Sequence, residues 1–398
     1  MQRASKISFK WTNSGKQEKL NAFLDVYHAV VQDFVDAFWD MERVPLLLSK
    51  DVASLIDARG LSSRAMQAAG KQASGIVRGT KAKNARRRYV LAQLEAEGDI
   101  KGAERLRKAI ERNPDGKPKC KSVSPALDSR FCKIDLESES SFEIWVTLAS
   151  LGKPFGKLEL PFQRNKHFNR MLGKGELKSS IRLSRKGITF IFDIPEPPEV
   201  DSGVTLGIDL GKTHTISASN GFQPGPNKHG HDLATIIPVI SRRKKGSKGF
   251  ERACAHRENY INWSINNLNL SGVRQVNRED LKNVGRGKRV PRSLSHWTYP
   301  AIIGKLESRC QELGVPVKTV DPAYTSQRCN RCGFTRKSSR KGSEFRCKAC
   351  GHTANADLNA ALNIALYLPS LGGEQRKVDS RTGFYWLPSG QERVVPVV

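Results

Sequence analysis

Cys329, Cys332, Cys347 and Cys350 form a C-x2-C-x14-C-x2-C series. That spacing lets two tight knuckles present four thiolates to one tetrahedral zinc ion. Gly333 and Gly351 directly follow the pairs, where a chain folding its amides toward thiolates benefits from a residue that accepts positive φ. Four thiolates close the coordination shell, so a zinc ion held this way is structural and leaves no open position for catalysis. Between the knuckles stand Arg336, Lys337, Arg340, Lys341 and Arg346 against the single acid Glu344. Such a loop faces either solvent or phosphate, and the charge of the whole chain favours phosphate.

Three acids are the second set of residues able to do chemistry. Val204, Leu206 and Ile208 alternate into a strand that ends at Asp209, and Gly211-Lys212 turns the chain into a second strand through His214, Ile216 and Ala218. Burying an acid at a strand end is expensive without a partner, and a metal ion would relieve that cost. "SGVRQVNREDLKNV" places Glu279 after a short, imperfect strand, and Asp357 stands at the head of the Ala-rich helical run "NADLNAALNIALYL". An acid in a first turn also favours the helix dipole without any metal.

The elements that must position these residues follow from periodicity. After the basic stretch "SRRKKGSKGF" at 241–250, an amphipathic helix runs to about Leu268. A further helix starts at about Tyr299 with Pro300 in its first turn, carries Ile302, Ile303, Leu306, Cys310 and Leu313 on one face, and stops at Gly314. "VPVKTV" is the next strand. Two hairpin strands, a strand, a helix, a strand and a closing helix describe an α/β sheet carrying three carboxylates from distant segments.

Charge bounds the partner. In 398 residues, 67 Lys and Arg oppose 39 Asp and Glu, a net +28, with a pI near 10.0. So large an excess implies a polyanion. No run approaches the roughly 18 apolar residues of a spanning helix, and no signal peptide is evident. Nucleic acid is therefore the expected partner and the prokaryotic cytoplasm, around the nucleoid, the expected location. Cys120, Cys132, Cys254 and Cys310 are scattered without paired spacing, which suits a reducing compartment.

Upstream, residues 16–113 read as helical, with Leu20, Phe23, Leu24, Tyr27, Val30, Val31, Phe34 and Phe38 on one apolar face. Arg78, Lys81, Arg86, Arg87 and Arg88 wrap more than one face of a second helical stretch, as a nucleic-acid groove would. Residues 114–200 are strand-rich and end in the proline linker "PEPPEV", while "ISFKW" at 7–11 reads as a strand that returns to them.

"TLGIDLGK", "REDLKN", "DPAYTSQRCNRCG" and "CKACGHTANADLNAALNIA" together resemble the nuclease half of the TnpB proteins of insertion sequences and their relatives, the miniature type V CRISPR effectors. The resemblance covers residues 204–365; the first 200 residues match only in organisation. It implies an α/β multidomain chain. Residues 1–15 and 114–200 would form a small β-barrel wedge domain with its linker, and 16–113 a helical recognition lobe. An RNase H-like RuvC core would occupy 201–324, a four-cysteine zinc ribbon 325–353, the closing helix 354–368 and a C-terminal tail 369–398. In that family the ribbon is inserted before the helix bearing the third acid and helps lodge the target strand.

The resemblance further implies an RNA-guided DNA endonuclease working by two-metal-ion hydrolysis. Asp209 would bridge two Mg2+ ions, with Glu279 and Asp357 holding one each. Guide RNA and double-stranded DNA are the implied partners, for a monomer or homodimer. Val276, Asn277 and Arg278 stand where the family usually has an apolar run, so Asp280 and Glu258 remain alternatives to Glu279. Two other classes fit part of this pattern: a catalytically silent RNA-guided DNA-binding regulator, and a transposase or resolvase that needs no guide. His214, Trp297 and Tyr324 lie beside the motifs and read as packing residues.

Overall fold

The computed structural model describes residues 1–46, 48–112, 116–120, 122–211, 214–281, 296, 298–369, 371 and 382–388, with the backbone of 392–393. Lys212, Trp297 and much of 369–398 lie outside the described residues. The chain divides into two units, Met1–Pro195 and Glu196–Val398, and the break falls at the proline stretch read as a linker.

The first unit opens with β1 (Gln2–Ser8), α1 (Ser14–Trp39), α2 (Lys50–Ser54), α3 (Ser63–Ala96) and α4 (Ile100–Arg112). The Asn13 side chain accepts the amide of Lys16 and starts α1, whose whole expected apolar stripe is buried. The unit continues with β2 (Ala126–Leu127), β3 (Cys132–Asp135), β4 (Ile144–Leu148), β5 (Leu158–Phe162), β6 (Glu176–Ser184) and β7 (Gly187–Asp193), and α5 (Lys166–Leu172) lies between β5 and β6. Its strands form an antiparallel four-stranded sheet, β1-β7-β6-β2, and an antiparallel three-stranded sheet, β3-β4-β5. The first strand does return to this region, as expected, but it is Gln2–Ser8 rather than residues 7–11. Ser8 pairs with Gly187, and the chain then turns, with the Thr12 amide donating to the Phe9 carbonyl at 3.2 Å.

The second unit carries β8 (Val204–Asp209), β9 (Ser217–Ala218), α6 (Leu233–Arg242), α7 (Lys248–Asn266), β10 (Val273–Glu279), α8 (Tyr299–Glu312) and β11 (Val317–Val320). The sheet order is β11-β10-β8-β9, with β8, β10 and β11 parallel and β9 antiparallel. Helical crossovers are what parallel neighbours require. The helix α6 is absent from the sequence reading, which left 233–240 unassigned. Its interior Pro238 disguises it, while Asp232 and Thr235 form a reciprocal capping box.

After β11 come the short strands β12 (Phe334–Thr335), β13 (Arg340–Lys341), β14 (Glu344–Arg346) and β15 (Thr353–Asn355), which runs straight into α9 (Ala356–Ala365). The 369–398 segment is more than a tail. Its strand β16 (Phe384–Trp386) pairs antiparallel with β12 and with β17 (Glu392–Arg393), and Trp386 is buried at 2 % exposure.

Candidate active site and metal centre

Asp209 and Glu279 are the last residues of neighbouring parallel strands, β8 and β10. Arg278 registers with Ile208, so one position further the two acids stand side by side at the carboxyl edge of the sheet, where open α/β sheets place their sites. Asp357 sits in the first turn of α9, whose N-terminus is capped by the Asn355 side chain accepting the amides of Asp357 and Leu358. The helix lies against β8 across Gly207: a Cβ there would come within 2.0 Å of the Ala361 carbonyl oxygen. At Gly211 a Cβ would lie 3.8 Å from Asp357 Oδ2. The three sequence-predicted acids therefore converge.

Their electrostatics register the convergence. Burial pushes the Asp209 carboxyl up to about 8, helped by the charges of Glu279 and then Asp357, against the opposing pull of Arg340. Burial also raises Glu279, opposed by a hydrogen bond from Thr325 and by Arg340, while Asp321 pushes it higher. The alternatives are less well placed. Glu258 on α7 has a side chain 63 % exposed, and neither it nor Asp280 is among the charges that shift Asp209.

The polar residues before Glu279 have structural work of their own. Asn277, fully buried, donates to the carbonyls of Ile364 and Ala365 at 3.1 and 3.2 Å and so ties down the end of α9. Arg278 pairs with Glu307 of α8 at 2.7 Å.

Arg340 has a partner that the sequence did not disclose. Read there as part of a phosphate-facing loop, it reaches from β13 to the carboxylates, with Nη2 donating to Asp357 Oδ1 at 2.8 Å. Nothing in a basic loop distinguishes this arginine from its neighbours, because the pairing depends on the β13–β14–β15 hairpin register.

The four cysteine sulfurs lie within 4.8 Å of one another. Cys329 and Cys350 are 3.8 Å apart and Cys332 and Cys347 3.6 Å, against about 3.8 Å for the edge of a tetrahedral zinc–thiolate unit with 2.3 Å bonds. Gly333 and Gly351 have the expected positive φ, 79° and 70°. The amide of His352, foremost, helps draw the Cys350 thiol down to about 7. These residues fit a structural zinc. The carboxylates are spaced differently: among the described residues only the cysteines bring three ligand atoms so close. A hard cation such as Mg2+ keeps several waters and takes one or two carboxylates plus substrate phosphate, so it asks for no such cage. A buried acid raised by two more acids is a donor set that a divalent cation relieves.

The expected nucleic-acid residues divide. Arg78, Arg86 and Arg88 are exposed on α3 and Arg87 is half-buried, and Lys83, Arg86 and Arg87 line a cleft of about 530 Å3 with Leu106 of α4. Lys81 is committed inward, donating to the Met41 carbonyl at 2.8 Å with its ammonium 5.8 Å from the Trp39 ring. Lys337 and Lys341 are exposed and Arg336 half-buried. His214 lies 3.1 Å from the Pro224 carbonyl and Tyr324 meets Phe384 edge-on at 5.8 Å, so both pack. Among the described residues no helix is long and apolar enough to cross a membrane.

Residues 299–364 match the family model described as Cas12f1-like, TNB domain. A CRISPR-associated endodeoxyribonuclease Cas12f1 of Sulfoacidibacillus thermotolerans is 35% identical over 148 residues, 37% of this chain and 34% of that protein. A putative RNA-guided DNA endonuclease InsQ of Escherichia coli is 30% identical over 199 residues, 42% of this chain and 50% of that protein. A TnpB-like protein of Aquifex aeolicus is 38% identical over 101 residues, 24% of this chain and 33% of that protein. Among solved structures, a Cas12f1–sgRNA–target DNA complex aligns over 92% of this chain and 98% of that one, with TM-score 0.44 and 16% identity. The chain thus spans between a third and half the length of these curated relatives. Residues 299–364 are similar to the TNB domain of Cas12f1-like proteins, and parts of the chain are similar to Cas12f1 and TnpB-like proteins.

Proposed function

We propose that the chain is an RNA-guided DNA endonuclease that hydrolyses a phosphodiester bond at Asp209, Glu279 and Asp357. The observation that carries this is the convergence of three acids, with Asp209 and Glu279 ending neighbouring parallel strands and Asp357 in the first turn of the helix docked on them. The sheet of the second unit would be an RNase H-like RuvC core with the four-cysteine ribbon inserted before α9. The helices of the first unit would form a recognition lobe and its two sheets a wedge domain. Guide RNA would read the target by base pairing, while the protein reads a short flanking duplex and the A-form shape of the heteroduplex. The names of the relatives support this reading, as does the net charge of +28.

Bound Mg2+ would supply activation of water and neutralisation of charge at the scissile phosphate. The chain's own residues prepare for it. Asp209 and Glu279 project from the ends of two hydrogen-bonded strands, so their spacing is set by the sheet. Asp357 is carried by a helix docked on that sheet and stands with 18 % of its side chain exposed, reachable by a substrate phosphate. Arg340 holds Asp357 through one carboxylate oxygen and would turn its remaining donors to the phosphate as charge develops there. The exposed basic side chains Arg78, Arg86, Arg88, Lys337 and Lys341 would hold the nucleic-acid backbone in a prokaryotic cytoplasm.

The test is substitution. Asp209→Ala, Glu279→Ala and Asp357→Ala should each abolish Mg2+-dependent cleavage while guide and target binding stay near the parent's. Normal cutting by all three would refute the site.

A further inference from the structure

A chain of buried polar side chains links the cysteine site to the acids. Arg328, 3 % exposed, precedes the first cysteine and donates from Nε to the Trp386 carbonyl at 2.7 Å. It also donates from Nη1 to Asn363 Oδ1 at 2.6 Å. Asn363 in turn donates to the carbonyls of Thr325 at 2.9 Å and Arg328 at 2.7 Å. Asn359, one helical turn earlier on the same face of α9, donates to the Arg328 carbonyl at 2.7 Å and accepts the Asn330 amide at 3.0 Å. The chain ends at the acids: the Thr325 hydroxyl donates to Glu279 Oε1, with the Pro322 carbonyl 3.2 Å away.

Two features make this more than ordinary core packing. A buried polar network whose members are satisfied rigidifies what it joins, and here the partners come from the first cysteine knuckle, α9, the segment after β11 and the C-terminal strand. Arg328 is also a buried cation that directly precedes the first cysteine and donates from Nη1 to the Cys329 carbonyl at 3.3 Å. Four thiolates around one zinc ion would carry net negative charge and would balance the guanidinium.

We propose that Thr325, Arg328, Asn359 and Asn363 are positioning residues, a clasp through which the four-cysteine site fixes the orientation of Glu279 and the seating of the helix that bears Asp357. By holding Oε1, Thr325 would leave Oε2 of Glu279 available to a cation. Outer partners of this kind tune metal affinity by about 10- to 100-fold. The inference rests on the reading of Asp209, Glu279 and Asp357 as a cation site.

The test uses the full chain with the RNA that co-purifies. Mn2+ stands in for Mg2+, and its binding is followed by loss of the free-ion electron paramagnetic resonance signal, with zinc measured on the same samples. Thr325→Val, which removes one hydroxyl at nearly constant volume, should keep its zinc and bind Mn2+ about tenfold more weakly. Its half-maximal cation concentration for cleavage should rise in step. Thr325→Ser restores the hydroxyl and should match the parent within about twofold, a rescue that a packing role alone would not give. Asn363→Ala should weaken Mn2+ binding likewise. A zinc-replete Thr325→Val protein with parental Mn2+ affinity overturns the clasp. If Asp209→Ala leaves Mn2+ affinity unchanged, the carboxylate reading itself fails, and the two failures are distinguishable.

Discussion

Replacing Gly207 by alanine is the sharpest test of how the third acid is positioned. The added methyl would stand 2.0 Å from the Ala361 carbonyl oxygen and 2.5 Å from the Ala365 amide nitrogen. Non-bonded heavy atoms settle near 3.5 Å, so α9 must retreat from β8 by on the order of 1 Å. Overpacking of this kind costs about 1–3 kcal/mol. Asp357 rides on the same helix, and Asp209 is two residues along the same strand, so the shift goes directly into the spacing of the acids. A misplacement of about 1 Å at reacting groups can cost on the order of 10²-fold in rate. Thermal unfolding and single-turnover cleavage of guide-matched DNA measure the two effects. Gly304→Ala is the control, since a Cβ at Gly304 in α8 meets nothing within 4 Å, and it should be neutral or stabilising by up to about 1 kcal/mol. A Gly207→Ala protein that melts with the parent and cuts within twofold of it would refute the reasoning.

Other outcomes follow from the same geometry. Purified protein should hold one zinc per chain, and Cys329→Ser, at a fully buried ligand, should destabilise the second unit; metal analysis below about half an equivalent in active protein would count against a structural site. Arg340→Ala should lower the cleavage rate by about 10²- to 10³-fold with binding retained, because it removes a donor from the site where charge develops. Without added Mg2+, Asp209→Asn should raise the melting temperature and add about 1–3 kcal/mol to the free energy of unfolding, because it removes an acid destabilised by burial and by two like charges; calorimetry checks the sign. Arg86→Ala with Arg87→Ala should flatten the dependence of nucleic-acid binding on log salt by about one unit for each phosphate that the pair no longer neutralises.

What the sequence disclosed depended on how local each signal was. The cysteine spacing, the two knuckle glycines and the strand ending at Asp209 are encoded within a few residues, and each was legible. Glu279 was named through the resemblance, with Asp280 and Glu258 left open, because its polar neighbours blur the strand; the structure ends β10 at Glu279, beside the end of β8. Asn277 and Arg278 broke the expected apolar run because their partners, the end of α9 and Glu307, are distant in sequence. The pairing of Arg340 with Asp357 was hidden for the same reason, since it comes from hairpin register. The C-terminal strand escaped notice because β16 is three residues long and gains its stability from β12 and from Arg328. The α6 helix was hidden by Pro238, although its capping box was present in the sequence.

Guided cleavage is tested most directly by sequencing the RNA that co-purifies with the chain and building a DNA duplex that matches its variable end beside a randomised flank. In Mg2+, the parent should cut matched duplexes next to one flanking motif, leave mismatched duplexes whole, and lose all cutting on Asp209→Ala. Matched DNA left intact across every flank, or specific cutting by protein stripped of RNA, would contradict an RNA-guided endonuclease.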